Sequence, residues 1–584
     1  MRDGGDDRAA VKLGILTGDG PLQFLVRPCT ADHLCTRSIN NDVIACVQTE
    51  SRDQNLMTTE GAAITHGPGR RSRGRHGEYA TEFPGLMTVF AEQFVDREAW
   101  APVSTLDLTL LPCILSNIMM RMRASDLTAW AKISPRKPLV LRGARQVGKS
   151  WLVNAWGQEH FGRVVEVNLE RRPEAASCFA VNDPIQVIQR LEIVLGARIP
   201  TDGSTLLFLD EIQAVPEVLA KLRWFAEELP QVPVIAAGSL LDFTLADHRF
   251  SMPVGRITYL HLEPMGFIEF CQACGETALA SWLETGLDLA SINAGVPEAI
   301  HHKAMALFRT WVLVGGMPAA VAAYIRERSF LPVGEVHRDL LATIRDDFAK
   351  YAGRVHHRRL TATLDSVPRQ LGQKFTFTKV DREERAAALR QALDLLSSAR
   401  VCHRVLATDG RGLPLGAGAD DKTTKVILLD TGLVSSALKI DLAALEQLEE
   451  LTLANEGAIA EQAVGQLLRL NGHANEDPAL WYWSRAAKSS SAEIDYLCAP
   501  TSHVLPVEVK AGGGGAMRSL HLFMAERDLR WAVRFNSAAP MIQKVDTVTS
   551  TGTEVRYRLL SLPAYAAEIL PRLAKEVDAT LERQ

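Results

Sequence analysis

From about residue 125 the chain alternates short apolar runs with amphipathic stretches, and this alternation predicts its elements. KPLVLRG (137–143) reads as a short buried strand ending in glycine, and SWLVNAW as the start of a helix. RVVEVNLE (163–170), STLLFLDE and VPVIAAGS read as further strands, with PEVLAKLRWFAEEL a helix between the last two. Asp183 before Pro184 marks another helix start: the aspartate oxygen caps free N–H groups, and the proline lacks one the first turn would not use. Strand and helix in strict alternation give an α/β class, a parallel sheet covered by helices.

The pattern changes downstream. Residues 271–345 read as mostly helical, with GGMP (315–318) breaking one helix. Residues 346–450 are mixed. Asp381 and Glu384 predict a capping box opening a helix with Leu389, Leu393 and Leu396 on one face, and the loop DGRGLPLGAGADD (409–421) leads to the strand KVILLD. A helix and hairpin in this order resemble a winged-helix module. Residues 451–584 read as a helix followed by strands. Before residue 115 no period is sustained, and GPGRRSRGRHG carries Arg70, Arg71, Arg73 and Arg75 in a glycine-rich run that predicts a solvated linker. Little stable fold is expected there, and translation starting near Met119, Met120 or Met122 would make that stretch irrelevant to function. The expected divisions are an N-terminal extension (1–118), a first α/β domain (119–270), a helical subdomain (271–345), a winged-helix-like segment (346–450) and a last α/β domain (451–584).

Several domains suit the length, since 584 residues exceed what one core supports. With 47% hydrophobic and 23% charged residues the composition is that of a globular protein. A net charge of -5 gives no global positive field, so any nucleic-acid contact must come from a local patch. Nine scattered cysteines suit reduced thiols, and the lone CxxC pair, Cys271 and Cys274, predicts packing rather than zinc. The polar start MRDGGDDR is no secretory signal, and Leu108–Met120 is too short to span a bilayer, so the chain is read as cytoplasmic with no membrane partner.

The chemistry concentrates at two places. GARQVGKS is a complete G-x-x-x-x-G-K-S loop: Gly143, Ala144, Arg145, Gln146, Val147, Gly148, Lys149 and Ser150. Its glycines let the backbone approach phosphate, so that N–H groups and the following helix start face the anion; Lys149 reaches the β- and γ-phosphates and Ser150 holds Mg²⁺. Sixty-one residues after Lys149, LLFLDE ends in Asp210, suited to the magnesium shell, and Glu211, suited to orienting water. Ser239 at the end of VIAAGS is a candidate γ-phosphate sensor, and Arg256 a candidate cation for the phosphoryl transition state, with a surface salt bridge as the plainer reading. Only one such loop is present, which argues against a paired motor core.

The second place is AEIDYLCAPTSHVLPVEVK. A period of two puts Glu493 with Asp495 and Glu508 with Lys510, and the 13 residues from Asp495 to Glu508 suffice for two antiparallel strands and a turn. Asp495 and Glu508 are candidate ligands for a shared divalent metal, with Lys510 stabilising developing charge. In the helix EGAIAEQAVGQLLRL, Glu461 shares a stripe with Val464 and Leu468, so it is expected to be buried and to need a partner. A helix, then a hairpin with D…ExK, is similar to the PD-(D/E)xK nuclease fold. His356 and His357 in KYAGRVHHRRL read as a solvated basic turn.

PLVLRGARQVGKSWLV, VVEVNLE, LLFLDEIQ, VIAAGSLLDF, GRITYLHLEPMGFIEF, LVGGMPAAV, VILLDTGLV and AEIDYL…LPVEVKAG, in this order, resemble the bacterial and archaeal AAA-superfamily ATPases that carry a C-terminal domain of unknown function with a nuclease-like core. The resemblance covers about residues 120–570 and implies ATP binding and hydrolysis with Mg²⁺. Two outputs stay open. The last domain binds and cuts DNA or RNA, or ATP occupancy gates a protein partner and nothing is cut. Oligomeric state is open as well.

Overall fold

The computed structural model describes residues 11–17, 20–30, 33–38, 44–48, 89–93 and 100–102, then 121–239, 241, 251–348, 355–440, 442, 456–485, 492–512 and 517–583. The chain divides into two compact units, Met1–Asn117 and Ile118–Gln584. In the first, where the sequence predicts little regular structure, six strands are placed: β1 (Val11–Thr17), β2 (Gly20–Thr30), β3 (His33–Ser38), β4 (Ile44–Gln48), β5 (Val89–Gln93) and β6 (Trp100–Pro102). They pair antiparallel in the order β4-β3-β2-β1-β5-β6. The basic run from Arg70 to Arg75 lies outside the described residues.

The second unit opens with helix α1 (Ala124–Ala131) and the strand β7 (Leu139–Arg142), followed by α2 (Lys149–Phe161), β8 (Val164–Asn168), α3 (Pro184–Leu195), β9 (Leu206–Asp210), α4 (Val218–Glu228), β10 (Val234–Gly238) and β11 (Thr258–His261). The strands form a wholly parallel sheet, β11-β7-β10-β9-β8. Every residue of β9 and β10 is buried, as a sheet covered on both faces requires. Alternation divides each strand between two cores: Leu206 and Phe208 join Leu141 and Trp156 on one face, while Leu207 and Leu209 join Val187, Leu191 and Leu222 on the other. Asp183 caps α3 as expected, accepting from Ile185 N at 2.8 Å.

Helices α5 (Phe267–Ala273), α6 (Glu298–Val314), α7 (Pro318–Glu327) and α8 (Leu331–Asp346) follow, with GGMP separating α6 from α7. Next come α9 (His357–Ser366) and α10 (Ala386–Ser398). The expected capping box does not open α10. Asp381 instead accepts from Glu383 N and Glu384 pairs with Arg359, so the helix starts after both are used. Its buried face is nonetheless Leu389, Leu393 and Leu396.

Beyond it lie β12 (Cys402–Thr408), β13 (Ala419–Leu428), α11 (Thr431–Ala437), α12 (Glu456–Leu470), β14 (Leu480–Ser484), β15 (Glu493–Cys498), β16 (Leu505–Val509), α13 (Arg518–Arg527), β17 (Trp531–Asn536), β18 (Met541–Val548), β19 (Glu554–Pro563) and α14 (Leu570–Glu582). The hairpin β12–β13 forms, yet β12 also pairs in parallel with β14. It is therefore the edge of an eight-stranded sheet, β13-β12-β14-β15-β16-β17-β19-β18, and not a wing standing apart. No helix among the described residues is long and apolar enough to cross a membrane.

Candidate nucleotide site and carboxylate cluster

The loop after β7 turns into α2 through Gly148, whose φ of 91° is left-handed backbone that a side chain disfavours. This places Lys149 and Ser150 in the first turn of the helix, with the free N–H groups of its start beside them. Lys149 is buried, and its ammonium donates to the carbonyls of Gly143 (3.1 Å) and Ala144 (2.8 Å), curling the loop around its own cation. Burial pushes this ammonium down to about 8, against the pull of Glu211 and Asp210.

Ser150 Oγ donates to Asp210 Oδ2 at 2.9 Å, so the two residues predicted to share a magnesium shell meet although 60 positions separate them. Asn168 from β8 donates to the same oxygen at 3.2 Å. Burial raises Asp210, and the Ser150 hydrogen bond partly offsets this. A hydroxyl and a carboxylate side by side suit Mg²⁺, which takes few protein ligands and completes its shell with phosphate and water oxygens. Glu211 has φ 51°, a strained setting for a residue other than glycine, and Gln213 Nε2 holds its carboxylate. Ser239, at the end of β10, is buried with no hydrogen-bond partner for its hydroxyl. Such an orphan, beside the strand end that carries Asp210, suits contact with a bound polar group.

Arg145 and Arg256 have other partners. Arg145 pairs with Asp347, at the end of α8, at 2.7 Å. Arg256 is half exposed and pairs with Glu227 of α4 at 2.6 Å, the surface salt bridge of the plainer reading. Cys271 and Cys274 are buried free thiols, both pushed up by burial, as packing residues would be. His356 caps α9, its Nδ1 accepting from Arg358 N, and His357 meets Phe348 edge-on.

In the C-terminal sheet β15 and β16 pair antiparallel, with Tyr496 opposite Val507. Asp495 Oδ2 accepts from Val509 N at 2.8 Å, and Lys510 donates to Glu508 at 2.5 Å. Glu508 Oε2 is buried without a partner. Glu461 is buried as expected, but its partner is a residue the sequence reading missed. Lys425, at the buried end of β13, lies 2.8 Å from Glu461, 2.6 Å from Glu493 and 3.6 Å from Asp495, and its ammonium faces the ring of Tyr482. One ammonium thus serves three carboxylates. Burial pulls its pKa down, but Glu461, Asp495 and Glu493 outweigh burial and hold it above the usual lysine value. Burial raises Glu461 and Glu508 to about 7 each, opposed by Lys425 at the first and by Lys510 at the second. Among the described residues no group of three or more His, Cys, Asp and Glu side chains is arranged to hold a metal ion.

Residues 135–271 match the family model of an AAA domain, residues 305–444 that of a domain of unknown function (DUF8612), and residues 456–554 that of a second one (DUF4143). The chain therefore carries an AAA-type P-loop ATPase domain. Among solved structures, a Walker-type ATPase of Pyrococcus abyssi is 17% identical over 55% of this chain and 96% of its own, with a TM-score of 0.36. The ORC1 protein of Aeropyrum pernix, solved in complex with DNA, is 18% identical over 58% and 97%, at 0.24. The Holliday junction branch migration motor RuvB of Thermotoga maritima is 15% identical over 51% and 90%, at 0.21. No curated protein matches the chain.

Proposed function

We propose that the chain binds and hydrolyses ATP with Mg²⁺ at Gly143–Ser150, Asp210 and Glu211, and that the nucleotide state gates the C-terminal domain toward a partner. The observation that carries the first half is the contact of Ser150 with Asp210 beneath a loop already wrapped around Lys149. In this reading Lys149 leaves the two loop carbonyls for the phosphates, and the α2 start supplies N–H donors. Bound Mg²⁺ would neutralise phosphate charge, held by Ser150 and Asp210. Glu211, released by Gln213, would orient the attacking water, with Ser239 reporting the γ-phosphate. Lys149→Ala is expected to lower ATP turnover at least about 100-fold, the scale of removing one transition-state charge contact. Unchanged phosphate release would refute the assignment.

For the output, the position of Lys425 supports a domain that does not cut. An internal ammonium already supplies Glu461, Glu493 and Asp495 with the positive charge a metal would bring. A second reading keeps the metal-dependent nuclease, with Asp495 and Glu508 as ligands and Lys510 beside them; the buried orphan oxygen Glu508 Oε2 favours it. These part in one assay. Purified protein with Mg²⁺ or Mn²⁺, with and without ATP, is expected to leave DNA and RNA intact. Cleavage that Lys510→Ala abolishes, with ATP hydrolysis unchanged, would establish the second reading.

A further inference from the structure

The phosphate loop is held from behind by a residue outside its motif. Arg121, buried, donates Nη1 to the Val147 carbonyl at 2.6 Å, Nη2 to the Glu263 carbonyl at 2.6 Å and Nε to Glu269 at 3.1 Å. In a trans peptide the carbonyl and the next N–H point opposite ways, so fixing Val147 O aims the Gly148 N–H away from Arg121. The guanidinium's rigid fork is what lets one side chain fix three acceptors.

Glu263 faces both ways. Its main-chain oxygen is on Arg121, and its buried carboxylate accepts from Nε and Nη2 of Arg469, each at 3.0 Å. Its neighbour Leu262 donates to Arg142 O at 2.8 Å, and the Leu262 carbonyl lies 2.4 Å from where a Cβ on Gly143 would stand. The two residues after the strand β11 and its final histidine therefore touch the start of the phosphate loop directly, reach its end through Arg121, and meet the last turn of α12. Glu461 sits on the same helix, about 12 Å away along the axis at roughly 1.5 Å per residue.

We propose that Arg121 is the positioning residue of the phosphate loop and that Glu263 is the joint through which loop and α12 move together, making α12 the element that carries nucleotide occupancy to the carboxylate cluster. The proposal rests on the ATP reading above. In the full chain, hydrogen exchange across α12 is expected to change when a nonhydrolysable ATP analogue binds with Mg²⁺. Glu263→Gln should bind the analogue within about threefold of wild type yet lose that change. Arg121→Lys, which keeps the charge and lacks the fork, should keep its thermal midpoint within a few degrees while kcat drops tenfold or more, on the scale of a misplaced reacting group. An α12 that ignores the bound analogue in wild type, or responds equally in Glu263→Gln, overturns the proposal. Failure of wild type to bind the analogue at all overturns the ATP reading and the proposal with it, and is distinguished by the lost binding.

Discussion

Lys149 and Lys425 are both buried, and their surroundings drive them in opposite directions. Around Lys149 burial outweighs Glu211 and Asp210, leaving the free-state pKa near 8. Phosphates require the charged form, so ATP binding above pH 8 must take up a proton. Uptake is expected to grow from near zero at pH 7 toward one at pH 9, and calorimetry in buffers of different ionisation enthalpy measures it; Lys149→Met should abolish it. Around Lys425 three carboxylates outweigh burial. Lys425→Met strands them, and chemical denaturation at pH 8 should show a loss of about 3–5 kcal/mol, as when one partner of a buried pair is removed. The loss should shrink on acidification, because Glu461, raised from 4.5 to about 7, takes up a proton there. Glu508 shifts the same way, so its stabilising protonated form is complete below 4.5 and lost as pH rises through 7. The thermal midpoint of Glu508→Gln relative to wild type should therefore climb between those values.

At the scale of elements, short motifs that the backbone itself holds together were legible and side-chain partnerships across the chain were not. The phosphate loop, the strand ending in Asp210 and the helix Glu456–Leu470 follow from local pattern, since each is one turn, strand or stripe. Lys425 meets Glu461 from 36 positions away, and Arg469 meets Glu263 from 206, distances over which no periodicity speaks. The sequence carries one signal for Lys425: in KVILLD a period of two aligns it with Ile427 and Leu429, so it starts a buried face and requires a counter-ion. The capping pair Asp381 and Glu384 misled because both side chains had nearer partners. GGMP works as a clasp: Asp430, fully buried and raised by burial to about 6, accepts from Gly316 N at 2.6 Å. Gly315 has φ 74°, and a Cβ there would lie 1.9 Å from Asp430 Oδ1. Gly315→Ala should lower stability by at least about 1–3 kcal/mol in a denaturant titration, the cost of strained backbone alone.

Across the whole molecule the assignment of Arg121 sets where a shortened chain stops working. A chain starting at Ile118 keeps the entire second unit and should turn over ATP at the full-length rate, whereas one starting at Met122 lacks the brace and should lose tenfold or more in the same assay. The parallel pairing of β12 with β14 has a further consequence. The C-terminal region is no portable cassette: a piece cut to residues 456–554 would leave behind β12, β13 and the cation Lys425, and sever β19 at its first residue. It would bare a raw strand edge and leave the buried Glu461 and the half-buried Glu493 and Asp495 without their cation, so such a fragment should precipitate, and any graft onto another protein must start before Cys402 and run past Pro563.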